Sequence, residues 1–184
     1  MASPTTRPSA APASWLFVGS SEEILARLVD GDPLGLRACV VAELAREALL
    51  VDVERALLRL QSLVALRARD WPGHGTPEPF LAACVGEAVR ELAQEDEPGS
   101  FGEPLEFCCR PLGLDARALG EACRGFNRLP SEVRQAFVAA VLEGDAPERS
   151  ARARKLSLGE FARRARTGLE LFRVHAPATP ERAR

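Results

Sequence analysis

The sequence predicts an all-α protein of two small helical domains, the second of them a helix-turn-helix. From residue 22 onward, apolar residues recur at intervals of three or four, which is the helical period. Aromatic residues make up only 5% of the chain and tyrosine is absent. Such a composition favours helices, because β-branched and aromatic residues lead in strands. We therefore expect no β-sheet.

Proline, glycine and charge divide the chain into five parts. We expect a disordered arm over 1–19, a helical domain over 20–97, a linker over 98–111, a helix-turn-helix domain over 112–174, and a tail over 175–184.

Four amphipathic helices are predicted in the first domain. The first begins at a serine cap, Ser20 or Ser21, and ends at Gly31. The second has Pro33 in its first turn. The third ends at the segment "WPGHGTPEP", which no helix can cross, and the fourth follows as "FLAACVGEAVRELAQEDE". The apolar face of the first helix is predicted to comprise Ile24, Leu25, Leu28 and Val29.

The second domain begins with the short helix "DARALGEACRGFNRL" and continues with "LPSEVRQAFVAAVLEGD" (129–145), one helix closed by a glycine turn. Beyond it the pattern predicts a short helix, a turn at Leu156-Ser157 and a longer helix, the layout of a helix-turn-helix. Within the last helix, Arg163, Arg164 and Arg166 are expected to share an open side. The core side is expected to comprise Leu158, Phe161, Leu169 and Phe172.

Charge is distributed unevenly along a chain of net charge −2. Residues 1–144 carry 14 arginines and 21 acidic residues, whereas residues 145–184 carry ten basic and five acidic residues. A basic end is where an electrostatic footprint for nucleic acid is sought. The alternatives are a solvated helix whose arginine stems cover apolar surface, or a basic amphipathic helix for a membrane or an acidic partner.

Little in the sequence indicates catalysis, a metal or a cofactor. The five cysteines lack the CxxC or CxxH spacing of a zinc site, so Cys108, Cys109 and Cys123 are more simply buried or idle thiols than ligands of a soft metal. Neither His74 nor His175 has a nucleophile or carboxylate pair at usable spacing. We expect a protein that is not an enzyme. Without a secretory signal or membrane-spanning run, we also expect it to be soluble and cytoplasmic.

The segments "LPSEVRQAFVAAVLEGD", "LSLGEF" and "GLELFR" resemble the promoter-binding domain of bacterial RNA polymerase sigma factors of the extracytoplasmic-function type. The segment "LARLVDGD" and the third and fourth helices resemble, more faintly, the core-binding domain of that family, so the likeness spans residues 22–173. The resemblance implies promoter DNA and RNA polymerase core as partners, with an anti-sigma factor as a further one.

The resemblance also implies site residues. Polymerase contacts would come from Asp52, Glu54, Arg55 and Gln61. DNA contacts would come from Arg152, Arg154, Lys155, Ser157, Arg163, Arg164 and Arg166.

Three departures from the family pattern support a second hypothesis. Arg55 replaces an acidic residue on the central helix, and the helix after the hinge is acidic where the family is basic. Ser150 and Arg154 replace two large aliphatic residues, so their helix should be loosely packed. The chain is then a sigma-derived adaptor that binds a protein and has lost promoter recognition. A third hypothesis is a helical protein whose likeness is coincidental.

Overall fold

The structure, a computed structural model, describes residues 16–71, 77–95 and 116–175. These residues form helices and no strand, which confirms the all-α expectation for this part of the chain. The helices are α1 (Ser21–Val29), α2 (Leu36–Glu47), α3 (Val53–Arg67), α4 (Glu78–Gln94), α5 (Ala116–Asn127), α6 (Ser131–Phe137), α7 (Pro147–Ala153) and α8 (Leu158–His175). A 3-10 turn (Ala68–Asp70) follows α3, and α6 continues as a π-helical turn (Val138–Leu142).

The ends of the first three helices are fixed by local side chains. Ser20 caps α1 and forms a reciprocal capping box with Glu23, as the serine signal predicts. Asp32 accepts hydrogen bonds from the backbone N–H groups of Leu36 and Arg37, at 2.7 and 3.0 Å, and so begins α2. Asp52 caps α3 by accepting from the N–H of Arg55 at 2.8 Å.

The N-terminal half, residues 16–95, is built around α3, which packs against α1, α2 and α4. Its core is aliphatic, and the burial of each large aliphatic side chain contributes about 1.5–3 kcal/mol to the free energy of folding. Its largest fully buried aliphatic side chains are Leu28, Leu36, Val40, Leu60, Val64 and Val89.

The C-terminal half, residues 116–175, is built around α8, which packs against α5, α6 and α7. Its main core is aromatic: the rings of Phe126, Phe137 and Phe172 lie with their centroids 5.0–5.7 Å apart. Leu50, from the loop between α2 and α3, is buried in the same cluster. A smaller cluster joins Phe161 of α8 to alanines of α6, its π turn and α7.

The N-terminal boundary corrects one prediction. Residues 16–19 were expected in the disordered arm. Leu16 is nevertheless buried, and the centroid of the Phe17 ring lies 4.7 Å from the centroid of the Trp71 ring. Arg27 donates hydrogen bonds to the carbonyl oxygens of Leu16 and Val18, at 3.2 and 2.6 Å. Residues 1–15 of the arm, the linker 98–111 and the tail beyond 175 lie outside the described residues.

Other predictions were wrong about single positions. Helix α2 begins at Leu36, not at Pro33, because Gly35 adopts a left-handed φ of 65° immediately before it. The helix expected to run from 129 starts only at Ser131 and changes to π geometry at Val138, although Gly144 does end it with a left-handed φ of 65°. Val29 is half exposed because it lies at the C-terminal end of α1.

Candidate nucleic-acid interface

A four-residue turn, residues 154–157, joins α7 to α8. Backbone hydrogen bonds close it, from Lys155 N–H to Arg152 carbonyl at 3.1 Å and from Leu156 N–H to Ala151 carbonyl at 2.9 Å. Lys155 lies in the left-handed region with φ of 54°. Ser157 then accepts from the backbone N–H of Glu160 at 3.1 Å and caps the start of α8. The turn therefore fixes the direction in which α8 leaves α7.

A close approach to α6 fixes the rotation of α8. A Cβ placed on Gly168 would lie 2.8 Å from Cβ of Phe137, so only glycine allows this contact. Phe161 and Phe172 are buried on the same side, as predicted, and Leu169 is partly buried. Leu158 was also expected in the core, but it is about half exposed because it stands at the first turn, beyond the end of the packed surface.

The opposite side of α8 carries three exposed arginines, Arg163, Arg166 and Arg173, which we call the cationic stripe. Arg163 has 70% of its side chain exposed. Arg166 and Arg173 are seven residues apart, almost two full turns, so they lie one above the other on the helix. Within the part of the chain that the structure describes, neither of these two has an ion-pair partner.

Arg164 does not share the open side, and the prediction that it does was wrong. Only 25% of its side chain is exposed, and its Nε donates to Glu160 at 2.8 Å. The two-residue separation from Arg166 turns the chain by about 200°, so the two guanidinium groups leave the helix on opposite sides.

Glu160 binds both Arg163 and Arg164. Arg163 donates to it through Nε and Nη2, at 3.0 and 2.8 Å. These hydrogen bonds, together with that from Arg164, lower the pKa of Glu160 to about 2. The carboxylate is therefore ionised at neutral pH and neutralises part of the charge at the start of α8.

The cations before α8 differ in their availability. Arg152 and Lys155 are exposed, and no ion pair involves them among the described residues. Arg154 is only partly exposed: its guanidinium carbon lies 6.0 Å from the Phe161 ring centroid, and Nη1 donates to the Ser150 carbonyl at 3.3 Å. In this structure its guanidinium therefore packs against α8 and is less open to solvent than that of a fully exposed arginine.

Helix α7 buries only two of its seven residues, Ser150 and Ala151. The Ser150 hydroxyl donates to the Asp145 carboxylate at 3.3 Å, so this small polar side chain is satisfied where it is buried. An apolar groove of about 270 Å³ borders the start of the helix and is lined by Ala140, Val141, Pro147, Phe161, Ala162, Ala165, Arg166 and Leu169.

Three of the four predicted polymerase contacts lie at the start of α3. Asp52 is used as the helix cap, exposed Glu54 forms an ion pair with Arg37, and Arg55 forms one with Glu95. The hydrogen bond from Arg37 lowers the pKa of the Glu54 carboxyl. These groups can be approached from solvent at one end of the N-terminal half.

Gln61 is not part of that surface, and its assignment as a contact was wrong for this conformation. It is 3% exposed, and its amide nitrogen donates to the carbonyl oxygen of Leu28 at 3.1 Å. That carbonyl lies near the end of α1, where no later helical N–H reaches it.

The acidic helix after the hinge is neutralised by α3. Glutamates of α4 and of the residue that ends it each bind an arginine of α3, in the pairs Arg55–Glu95, Arg59–Glu91 and Arg67–Glu87. The last two pairs have N···O distances of 2.6 Å. The face between α3 and α4 is therefore a row of ion pairs rather than an acidic surface.

Two residues that matter here were absent from the predicted site. Arg173 could have been found from its seven-residue spacing to Arg166, and Glu160 from its positions three and four residues before Arg163 and Arg164. Both signals are helical periods that the sequence contains.

Over the residues that the structure describes, neither a metal cluster nor a membrane span emerges. Among the described side chains, no three His, Cys, Asp or Glu residues lie together so as to bind an ion. Cys108, Cys109 and His74 lie outside the described residues, while Cys123 is buried on α5. Within the same ranges, no helix combines the length and apolarity needed to cross a bilayer. Comparisons of the chain with protein-family models, curated proteins and solved structures give no match.

Proposed function

We propose that this chain is a sigma-factor-like transcription protein that binds DNA through α7, the turn after it and the outward side of α8. The observation that carries the proposal is the cationic stripe, presented on a helix that a short, hydrogen-bonded turn holds against α7. DNA affinity comes mainly from cations that neutralise phosphates, and the helix after such a turn is the one that enters the major groove.

The dimensions of the stripe suit this role. Arg163 and Arg173 are ten residues apart, which corresponds to about 15 Å along a helix and spans several phosphates of one strand. At the start of the helix, Arg152 and Lys155 add two exposed cations. The N–H groups of the first turn add a partial positive charge, and Gly159 leaves that turn open.

The test is a salt titration of binding to a labelled DNA duplex, followed by fluorescence anisotropy. The double variant Arg166→Gln/Arg173→Gln should reduce the magnitude of the slope of log K against log salt by about 0.9 for each phosphate that the variant no longer neutralises. Arg69→Gln/Arg117→Gln removes the same charge from exposed sites elsewhere and should leave the slope unchanged. Equal slopes for the two double variants would refute the proposed surface.

RNA polymerase core is the proposed protein partner, and it would meet the start of α3 at Asp52, Glu54 and Arg55. Purified core should retain the chain in size-exclusion chromatography, and Glu54→Arg should weaken that retention because it reverses an exposed charge. A chain that binds DNA but is not retained would keep the DNA surface and remove the polymerase assignment.

A second candidate function is a sigma-derived adaptor that binds a protein and has lost promoter recognition, and with it promoter opening. The row of ion pairs between α3 and α4 favours it, because Glu87, Glu91 and Glu95 occupy arginines that would otherwise attract a DNA backbone. In transcription reconstituted with purified core, this candidate predicts no open complex even when the duplex is bound. Promoter opening would exclude it.

A further inference from the structure

The side chain of Asn127 joins the two halves of the chain, which also come into contact where α4 approaches α5. Its Oδ1 accepts from the backbone N–H of Leu50 at 2.8 Å, and its Nδ2 donates to the Leu50 carbonyl oxygen at 3.0 Å. One amide thus satisfies both backbone polar groups of a residue 77 positions away. A paired arrangement of this kind fixes both distance and orientation between the loop after α2 and the end of α5.

Arg134 adds a second polar connection at the same place. Its Nε and Nη2 donate to the Glu47 carbonyl oxygen in the last turn of α2, at 3.2 and 2.8 Å. Its Nη1 donates to the carbonyl oxygens of Asn127 and Leu129, at 3.2 and 2.6 Å. The side chain is 11% exposed, and burial lowers the pKa of its guanidinium. A cation at a helix C-terminus is favourable because the last carbonyls carry partial negative charge.

Leu50 is the one buried residue that the N-terminal half contributes to the aromatic cluster of the C-terminal half, among the described residues. Each half otherwise has a core of its own. Contacts between domains that rest on directional hydrogen bonds rather than on large apolar area are specific but separable.

We propose that Leu50, Asn127 and Arg134 form a junction, which we call the lock, that holds the two halves of the chain in contact. Breaking the paired hydrogen bonds of Asn127 separates the two halves, while the helical core of each half persists. Leu50 lies two residues before Asp52, which caps α3, and it is buried in the same apolar cluster as Phe172 of α8. The lock therefore links the start of α3 to the packed side of α8. This inference does not depend on DNA or polymerase binding.

The test is Asn127→Asp, which keeps the shape and the acceptor but replaces the amide donor by a second oxygen facing the Leu50 carbonyl. Gln94→Glu makes the same change at an exposed position on α4 and is the matched control. Solution X-ray scattering should give a larger radius of gyration for Asn127→Asp alone. Calorimetry should give one unfolding transition for the unaltered chain and the control, and two for Asn127→Asp. An unchanged radius with a single transition would overturn the lock.

Two further measurements guard against a variant that fails to fold. In the unaltered chain, the Leu50 amide should exchange with solvent as slowly as helical amides of the C-terminal half, although it lies in a loop. Free exchange of that amide would mean that the lock is not formed. Leu50→Ala keeps both hydrogen bonds and should unfold at lower temperature but still in one transition. Two transitions in Leu50→Ala would assign the closure to apolar packing and overturn the role of Asn127.

Discussion

Replacing Glu160 by glutamine tests whether an internal carboxylate limits the DNA affinity of α8. Glu160 accepts three hydrogen bonds from Arg163 and Arg164, so it competes directly with any phosphate for those guanidinium groups. Glutamine keeps the length of the side chain and one acceptor oxygen but removes the charge. The local balance of these three residues then changes from +1 to +2.

The expected size follows from counting the released cations. Of the two arginines that Glu160 binds, Arg163 is 70% exposed and can turn to a phosphate once the carboxylate charge is removed, whereas Arg164 is mostly covered. One additional guanidinium therefore becomes available. One further phosphate contact steepens the salt slope by about 0.9. Over a fourfold range of salt concentration, that change alone alters affinity by roughly threefold relative to the unaltered chain. Glu160→Gln should therefore bind DNA more tightly, most clearly at low salt.

The assay is the same anisotropy titration, with Glu22→Gln as the control. Glu22 is exposed in the first turn of α1, so its replacement changes the net charge equally but far from α8 along the chain. A gain in Glu160→Gln that the control does not share would support the reasoning. If affinity stays level, the carboxylate is not a competitor. If affinity falls, a direct contact from Glu160 to a DNA base becomes the better explanation.

Three further outcomes follow from packing and charge. Gly168→Ala should lower the free energy of unfolding, measured by urea denaturation, by about 1–3 kcal/mol, because the added methyl group would overlap the Phe137 side chain of α6. Gly159→Ala adds a methyl group in open space and should not destabilise the fold. Gln61→Met should cost about 1–3 kcal/mol in the same assay by leaving the Leu28 carbonyl without a donor; an unaltered stability would contradict that. Because the folded pKa of Glu160 is depressed to about 2, its stabilising effect should be complete above the unfolded pKa near 4.5 and be lost as pH falls toward 2, which carboxyl NMR titration can follow.

Where a single local signal fixes a helix end, the sequence was a sufficient guide. The cap at Ser20 and the left-handed glycine at 144 were both predicted, because each signal acts within three or four residues. The start of α2 was not predicted, because two local signals for a helix start compete there. Proline suits a first turn, but Asp32 and Gly35 together postpone the helix to Leu36.

Positions decided by distant contacts could not be read from periodicity. Gln61 has the spacing of a half-exposed helical residue, yet the unpaired carbonyl of Leu28, 33 residues earlier, draws its amide inward. Leu50 follows a helix of the N-terminal half and is buried in the core of the other half. Both placements depend on how helices pack, which a pattern along the chain does not encode.

The net charge of the candidate site also depends on contacts that arginine counting does not show. A helix offers a partner only the positive charge that its own acidic residues have not neutralised, and α8 carries Glu160 and Glu170 besides its four arginines. Counting arginines selected Arg163, Arg164 and Arg166, although Glu160 binds the first two. Over the ranges that the structure describes, the unpaired cations of the outward side are Arg166 and Arg173, and they lie in register after two turns. If α8 binds phosphate, these two residues should contribute more to the salt dependence of DNA binding than Arg163 and Arg164.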